Sequence, residues 1–505
     1  MQKSLQRIIT IPNFAALCFF ILILVTAGRY GFFGDELYYF ECSKHLAFGY
    51  VDHPPLVALL TLISTTIFGE TIIGLRFLSG LFGAATVILS AKIAAELGGG
   101  KYSQALASLS ILFGLAFPAL SSFFSMNPVD IMLCALFILL FLKTIRKPSP
   151  KKWIILGILL GIGLINKYTF LVLGFSSLLS LVITKKWNIL KSPWIYISGA
   201  IGFLIFLPHI LWEINNGFPT FEFMSNATEY KNLSLSPLTF FLQIIIGLNP
   251  LTFPIWLSGF VYLLGNKRTK EFRFLGWIAV IFILVYMFQN SKFYYVVPIF
   301  PLLLSSGSVA VENFLQRFQT GFLKWAIVTI LIVSGTLLMP LAVPILPVDQ
   351  FVKYSGALGI RSKLKMEKEE IGSLPLHFAY RFGWKDLVDT VADAYNMLPK
   401  NEKNKCAILA SWYGIAGAID HYGPKYNLPN AICPRNNYWI WGTHNYSGEI
   451  VLAVGYSERT LNKYFDSVER VAQFEHPYAY GVTICLCTKP KGTLKQMWQE
   501  LKVFI

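Results

Sequence analysis

Residues 34–56 read GDELYYFECSKHLAFGYVDHPPL, and shortly before them lies the apolar run IITIPNFAALCFFILILVTAG at residues 8–28. About 20 predominantly apolar residues are enough to cross a bilayer as a helix, so this run is long enough to be a span. A cleaved signal peptide is the alternative, but long apolar stretches follow, which favours a retained first helix. The polar stretch has the composition of a soluble enzyme loop and contains Asp35, Glu36, Asp52 and His53.

The overall composition indicates a membrane protein. Of the 505 residues, 55% are apolar and 14% are charged, whereas soluble domains carry about 25% charged residues. The net charge of +16 would suggest nucleic-acid binding in a soluble protein. In a membrane protein, basic loops on one face of the bilayer explain the same excess. We therefore expect a lipid bilayer, and no nucleic acid, as a partner.

The apolar stretches predict about eleven transmembrane helices. They lie near residues 8–28, 72–95, 103–122, 128–145, 153–166, 168–184, 194–212, 237–264, 274–289, 294–311 and 322–346. Lys and Arg concentrate in alternate loops, such as KTIRKPSPKK at 143–152, and such loops face the cytoplasm. With Lys3 and Arg7 also in the cytoplasm, residues 29–71 and 213–236 are expected on the external side.

The composition changes after residue 346, which predicts a transmembrane domain at 1–346 and an extracytoplasmic α/β domain at 347–505. RSKLKMEKEE at 361–370 is charged, and WKDLVDTVADAYNML at 384–398 has the apolar spacing of a helix. The segments CAILASWYG, EIVLAVGY and YGVTICLCT are typical of buried strands.

The cysteines leave two interpretations open. Five of the seven are expected on the external side, where disulfides form: Cys42, Cys406, Cys433, Cys485 and Cys487. Cys485 and Cys487 share one strand face and would not bond each other easily, but a bridge from Cys406 or Cys433 to one of them stays open. Metal binding by cysteines is less expected, because the chain contains no CxxC pair.

Polar residues recur at the external ends of the predicted spans. They are Arg76 in GLRFLSG, Asn127 and Asp130 in MNPVD, Lys167 in NKYTF and Lys292 before FYYVVP. Charges within spans are costly and commonly face a protein interior or a cavity. Snorkelling is the alternative for Lys167 and Lys292, but it explains the short Asp130 poorly. We therefore expect one polar site where the helix ends meet.

Such a site combines cations with carboxylates at the depth of lipid head groups. Lys and Arg bind phosphate through charge-assisted hydrogen bonds, which suits a phosphate attached to a lipid. A carboxylate nearby can remove a proton from an acceptor hydroxyl as a general base. The alternative for Asp35 is a structural one, the capping of a helix that starts at Glu36.

The sequence resembles a known family along most of its length. It is similar to the bacterial family 39 glycosyltransferases, which are relatives of the dolichyl-phosphate-mannose protein mannosyltransferases and the lipid A aminoarabinose transferases. The segments that carry the resemblance are GDELYYFECSKHLAFGYVDHPPLVALL, GLRFLSGLFG, MNPVD, LINKYTF, LPHILWEINNGFPTFEF, SKFYYVVPIFPLLL, WYGIAGAIDHYGPKYNLPNAI and NNYWIWG.

This resemblance implies a polytopic α-helical GT-C fold in a bacterial inner membrane, with the N-terminus in the cytoplasm. The donor would be a polyprenyl-phosphate sugar, and the acceptor a hydroxyl of a glycolipid, a glycan or a protein. The reaction would invert the anomeric centre in a single displacement. Asp35 matches the family's catalytic base and Glu36 its usual companion. Glu36 either orients Asp35 or the acceptor, or faces water as a helix-start charge.

The remaining candidates are predicted to bind substrate. Arg76 and Lys167, followed by Lys292, are the candidates for phosphate. Asn127 and Asp130 are candidates for sugar hydroxyls, with helix capping as the alternative.

The first loop adds further candidates for binding. His53, between Asp52 and two prolines, either donates a hydrogen bond to phosphate or sugar or pairs with Asp52. The aromatic candidates are more typical of an interfacial belt, with contact to the lipid carrier or sugar as the second interpretation. They are Tyr38, Tyr39, Tyr294 and Tyr295.

No obligatory metal is expected, because the cations already supply positive charge for the phosphate. A divalent cation held by Asp35, Glu36 and Asp52 is the alternative. In the tail, aromatic-rich loops hold potential glycan contacts whose main use is more plausibly in folding; these are His421, Trp441 and His444.

Two rival functions remain. A secondary transporter predicts internal repeats with polar residues near the membrane midplane, whereas these cluster at one boundary. The other rival is a non-catalytic envelope scaffold.

Overall fold

The structure is a computed structural model that describes residues 10–233, 235–265, 267–289, 291–318, 321–359 and 374–505. Predictions that rest on Lys3, Arg7 and segment 361–370 lie outside these residues. The contacts within the chain define two compact units. The first comprises Met1–Arg29, Ile73–Trp212 and Asn232–Ser355, and the second comprises Tyr30–Ile72, Glu213–Lys231 and Gly356–Ile505. The domain division at residue 346 stays a prediction.

The first unit is helical. Its α-helices are Ile11–Thr26, Ile72–Glu96, Lys101–Leu112, Ala116–Ser121, Met126–Arg146, Pro150–Leu164, Thr169–Ile183, Trp187–Leu190, Pro193–Asn215, Pro237–Gly247, Phe253–Phe260, Arg273–Phe288, Phe300–Arg317, Gly321–Leu338 and Val348–Ala357. Short 3₁₀ or π turns occur at Pro250–Thr252, Val261–Gly265, Lys267–Phe272, Phe293–Ile299 and Met339–Leu341.

Six helices among the described residues are long and apolar enough to cross a membrane. They are Ile72–Glu96, Met126–Arg146, Pro193–Asn215, Thr269–Phe288, Phe293–Arg317 and Gly321–Leu341. A bent pair, Pro237–Gly247 and Pro250–Gly265, makes a seventh if it counts as one span. The chain is therefore a multi-pass membrane protein, and the count of about eleven spans stays a prediction.

Two predicted spans are broken by local chemistry. The helices Pro237–Gly247 and Pro250–Gly265 meet at an angle of 99°. Between them Asn249 has a φ of +74°, and its Oδ1 accepts the amide of Leu251 at 3.2 Å. Pro250 has no N–H to continue the first helix. Residues 103–122 likewise divide at Gly114 into two shorter helices.

The second unit contains both helices and strands. Residues 34–56, predicted as a loop, contain the helix Gly34–Lys44. The helices of this unit are Gly34–Lys44, Leu56–Phe68, Pro219–Asn226, Leu376–Ala379, Trp384–Asn396, Lys400–Lys403, Tyr413–Tyr422, Asn436–Trp441, Glu458–Leu461 and Leu494–Leu501, with a π turn at Ala227–Lys231 and a 3₁₀ turn at Gly423–Tyr426. The strands are β1 (Cys406–Ala410), β2 (Ala431–Ile432), β3 (Ile450–Val454), β4 (Phe465–Phe474) and β5 (Val482–Pro490).

The strands form one mixed sheet in the order β2-β1-β3-β5-β4. β1 is parallel to β2 and β3, whereas β5 is antiparallel to β3 and β4. The core against the sheet includes Leu494, Met497 and Trp498 of the last helix. The helix predicted at 384–398 and the three predicted strands are confirmed as elements.

The disulfide considered between the strands does not form, and all seven cysteines are free. Cys406 opens β1, whereas Cys485 and Cys487 lie on β5, with β3 between the two strands. Neighbouring strands are about 4.8 Å apart, so two strand spacings exceed the Cα separation of about 7 Å that a disulfide can bridge.

Candidate active site

Glu36 fixes the start of the helix Gly34–Lys44. Its buried carboxylate accepts the backbone N–H of Phe33 at 2.7 Å, and its own N–H donates to the Phe33 carbonyl at 2.8 Å. The N–H of Gly34 donates to the carbonyl of Tyr380 at 3.1 Å. A carboxylate in the first turn satisfies amides that have no partner within the helix. Glu36 therefore does not face water as a helix-start charge.

Asp35, which directly precedes Glu36 in the sequence, is only partly buried. The hydroxyl of Tyr413 donates a hydrogen bond to its Oδ1 at 3.1 Å. Tyr413 begins the helix Tyr413–Tyr422, which packs closely on the helix of Asp35. A Cβ atom at Gly417 would lie 2.9 Å from the carbonyl carbon of Leu37, so only glycine allows this approach.

Asp52 has a matching tyrosine contact. The hydroxyl of Tyr38 donates to Oδ1 of Asp52 at 3.1 Å and accepts the N–H of Asn437 at 3.3 Å. The Oδ1 of Asn437 in turn accepts the N–H of Val51 at 2.7 Å. The segment before His53 is therefore tied to the helix Asn436–Trp441.

His53 is fully buried among aromatic rings and lies 4.7 Å from the ring of Tyr50. Its Nδ1 is 2.9 Å from the carbonyl of Pro54, and since a carbonyl only accepts, Nδ1 carries the proton. Its Nε2 faces Sγ of Cys42 at 3.9 Å. Burial lowers the pKa of His53, so the ring is held neutral. Its predicted contact with substrate stays a prediction.

Burial also keeps the tyrosine hydroxyls near Asp35 and Asp52 protonated. It is the largest cause that raises the pKa of Tyr38, Tyr39 and Tyr413 well above the ordinary value, followed by nearby negative charge of Asp52 or Asp35. A phenol that keeps its proton acts as a hydrogen-bond donor to a carboxylate. In this first group, the neutral hydroxyls of Tyr413 and Tyr38 therefore donate hydrogen bonds to the carboxylates of Asp35 and Asp52.

In the first unit, Lys167 is the centre of a second group. Its Nζ donates to Oδ1 of Asn127 at 2.7 Å. The same nitrogen lies 4.6 Å from the ring centroid of Tyr295 and 5.9 Å from that of Tyr294. Such contacts between a cation and aromatic faces are stabilising, particularly away from water. The predicted candidates Asn127, Lys167, Tyr294 and Tyr295 are thus brought together.

Buried oxygen atoms accompany this group. Asp130 is fully buried and interacts with Lys167 and Thr169, and in the described part of the chain no hydrogen-bond partner is found for Oδ1 of Asn166. The amide of Asn166 donates to the carbonyl of Met126 at 3.1 Å, which connects it to the helix that carries Asp130. An acceptor without a donor is costly when it is buried.

Arg76 and Lys292 have different surroundings. Arg76 is fully buried, and its guanidinium donates to the carbonyl of Ala27, directly after the helix Ile11–Thr26. A cation at that end of a helix is favourable, because the last carbonyls there need donors. Lys292 is partly buried and precedes the turn Phe293–Ile299.

The structure thus describes two groups of candidates, one within each unit. Prediction from sequence missed Tyr413 and Asn437, although both lie in segments that carry the family resemblance. An isolated tyrosine has no distinctive spacing, and Tyr413 is 378 positions from Asp35. Of the tail candidates, His421 pairs through Nδ1 with Glu70 at 3.0 Å, and Trp441 stacks on His45 at 4.6 Å.

The described residues contain no group of three or more His, Cys, Asp or Glu side chains that could hold a metal ion. The acids of the first loop are also engaged separately: Asp35 by Tyr413, Glu36 by the Phe33 amide and Asp52 by Tyr38. The alternative of a divalent cation at these three residues stays a prediction. Independence from metal stays a prediction.

Part of the sequence matches a known protein family. The sequence model described as dolichyl-phosphate-mannose-protein mannosyltransferase matches residues 52–212. The predicted resemblance is confirmed. The lipid A galacturonosyltransferase RgtD of Rhizobium johnstonii is 22% identical over 275 residues, which make up 54% of this chain and 58% of RgtD. The match thus covers little more than half of this relative's length.

Solved structures show the fold. ArnT from Cupriavidus metallidurans, bound to undecaprenyl phosphate, aligns with 93% of this chain and 97% of its own, with a TM-score of 0.60 and 15% identity. The Archaeoglobus fulgidus oligosaccharyltransferase, tethered with an acceptor peptide, aligns with 83% of this chain and 63% of its own, with a TM-score of 0.52 and 11% identity. The chain therefore has the GT-C membrane fold.

Proposed function

We propose that this chain is an inverting glycosyltransferase that moves a sugar from a polyprenyl-phosphate donor to a hydroxyl of an envelope glycolipid, glycan or protein. The proposal rests on the agreement between sequence similarity and fold. The sequence is similar to glycosyltransferases, including one named for lipid A, and the fold is that of ArnT, which was solved with undecaprenyl phosphate. Undecaprenyl phosphate is the leaving group that such a donor would release.

Asp35 is proposed as the general base. Its carboxylate is partly exposed, whereas that of Glu36 is buried and engaged with the backbone. Asp35 would take the proton of the acceptor hydroxyl while the acceptor oxygen bonds to the anomeric carbon. The bond from that carbon to the phosphate oxygen breaks, and its electron pair leaves with polyprenyl phosphate. General bases of this kind contribute about 10²- to 10⁴-fold to a rate.

Lys167 is proposed to bind the donor phosphate, with Arg76 and Lys292 as further cations. Contacts with Asn127 and Tyr295 hold the Lys167 ammonium in place, so little reorganisation is needed when negative charge develops on the leaving phosphate. Asp130 is proposed to accept a sugar hydroxyl, because its carboxylate is fully buried and interacts with Lys167, the proposed phosphate ligand.

The proposal includes a location and a cofactor requirement. We place the protein in a bacterial inner membrane, with the N-terminus in the cytoplasm and the C-terminal α/β segment outside. These cations supply the positive charge that a phosphate needs, so no obligatory metal is proposed. Turnover in inner-membrane vesicles should then be unchanged after treatment with EDTA.

Mass spectrometry of envelope glycolipids and glycoproteins, from cells with and without the protein, tests the function. A hexose, pentose, uronic-acid or amino-sugar mass difference is expected, and it should vanish in Asp35→Asn. Asp466→Asn is the matched control, because Asp466 is an exposed aspartate of the same unit. Flux of a lipid-linked substrate in liposomes without any glycosylated product would instead indicate a transporter. Absence of both flux and product would indicate a scaffold.

A further inference from the structure

We propose that Tyr413 is a positioning residue for Asp35, so that the C-terminal part of the chain supplies a hydrogen bond to the catalytic base. This inference rests on the proposed function of Asp35. It also assigns a role in the reaction to Tyr413, which lies outside the family match at residues 52–212 and was not predicted from the sequence.

Close packing of two helices fixes where Tyr413 lies. A Cβ atom at Gly417 would come within 2.9 Å of the carbonyl carbon of Leu37 and 3.1 Å of the amide nitrogen of Tyr38. Tyr413 is four residues before Gly417 and therefore lies on the same face of its helix. The face that approaches the helix Gly34–Lys44 thus also carries the hydroxyl that reaches Asp35.

Tryptophan packing fixes the other end of the contact. A Cβ atom at Gly34 would lie 2.7 Å from Cη2 of Trp412, so this ring rests against the residue directly before Asp35. Trp412 packs against Trp384 at 5.5 Å, and Nε1 of Trp384 donates to the carbonyl of Phe32 at 3.0 Å. The backbone on both sides of the hydrogen bond is therefore held, and the bond orients the Asp35 carboxylate.

The charge state of the pair suits this role. Burial, followed by the negative charge of Asp35 and then of Asp52, raises the pKa of Tyr413 well above its ordinary value, so its hydroxyl remains a donor. Donation to a carboxylate stabilises the charged form, which is the form that acts as a base. Other ionisable groups near this pair include Tyr38, whose ring lies 4.8 Å from that of Tyr413, together with Tyr39, Asp52 and the adjacent Glu36.

Tyr413→Phe removes the hydroxyl and keeps the ring. The protonation midpoint of Asp35 can be followed by infrared titration of the full-length protein in nanodiscs, with Asp35→Asn subtracted to assign the carboxyl band. In Tyr413→Phe we expect a midpoint higher by about half to one pH unit, the equivalent of one ordinary hydrogen bond. The yield of glycosylated envelope product should fall about tenfold, because orientation of a base contributes to rate.

Tyr438→Phe is the matched control, because the Tyr438 hydroxyl is also buried and donates to a different carboxylate, Asp420, at 2.7 Å. It should leave the Asp35 midpoint unchanged. An unchanged midpoint in Tyr413→Phe would overturn the inference while leaving the proposed function intact. Full product yield in Asp35→Asn would overturn the proposed function, whatever the midpoint of Asp35 does.

Discussion

The ammonium of Lys167 donates a 2.7 Å hydrogen bond to Oδ1 of Asn127, although the two residues are 40 positions apart. The amide oxygen and the ring of Tyr295 hold the cation without neutralising its charge. Both of these partners are uncharged, so they position the ammonium without forming an ion pair with it.

Lys167→Met is therefore expected to weaken binding of undecaprenyl phosphate by about 10- to 100-fold, the loss of one hydrogen bond to a charged group. Lys167→Arg should recover part of the affinity, since guanidinium retains the charge with a different shape. Native mass spectrometry of the detergent-solubilised protein with undecaprenyl phosphate measures the Kd. Lys92→Met, at an exposed lysine of the same unit, is the control and should bind as the parent does. Equal Kd values for Lys167→Met and the control would remove Lys167 from the phosphate site.

Asp35→Asn should separate chemistry from binding. The change removes the base but preserves size, so we expect product formation to fall by about 10²- to 10⁴-fold. The Kd for undecaprenyl phosphate should stay within about twofold, a difference below about 0.5 kcal/mol. Quantitative mass spectrometry of the product and native mass spectrometry of the complex give the two numbers. A parallel loss in both would contradict the assignment of Asp35 as base.

Glu36 should matter for stability more than for chemistry. Glu36→Ala leaves the Phe33 amide without its acceptor and should lower the free energy of unfolding by about 1–3 kcal/mol. Glu36→Gln keeps a carbonyl acceptor and should cost less. Thermal unfolding in detergent measures both, with product yield normalised to folded protein. A large loss of normalised yield in the stable Gln variant would return Glu36 to the catalytic residues.

Apolar spacing in the sequence predicted those helices and strands that depend mainly on interactions between residues close together in the chain. The apolar spacing at 384–398 predicted a helix that the structure places at Trp384–Asn396, and three apolar segments predicted strands β1, β3 and β5. The polar segment Phe465–Phe474 gave no such signal, because it is the edge strand β4, which is half-buried or exposed at every position except its two ends. The average hydropathy of residues 103–122 likewise did not predict that the helix breaks at Gly114.

For the candidate site, too, some residues could be predicted from the sequence and others could not. Residue type and position within the spans were enough to select Asn127 and Lys167, which the structure brings together. They could not select Tyr413, because its role depends on the approach of two helices at Gly417. They also could not decide between the roles of Glu36, since only coordinates show which amide its carboxylate accepts. Long-range packing is the part that a single sequence leaves open.

Glu70 should make stability depend on pH. Its carboxylate accepts a hydrogen bond from His421 at 3.0 Å and pairs with Lys44 at 3.0 Å. The His421 bond, followed by that of Lys44, lowers the pKa of Glu70 from 4.5 to about 2. A lowered carboxyl pKa means that the contacts stabilise the fold above about pH 4.5 and are lost as the pH falls toward 2.

Glu70→Gln should therefore lower the thermal midpoint at pH 7 and flatten its fall between pH 5 and 3. Because Glu70 is about one-third exposed, the loss at pH 7 should be below about 1 kcal/mol. Thermal unfolding in detergent across this range gives the comparison. Glu449→Gln is the control, because its pair with Lys405 is more than half exposed, and it should follow the parent curve. A Glu70→Gln curve parallel to that of the parent would show that His421 and Lys44 do not stabilise the charged form of this carboxylate.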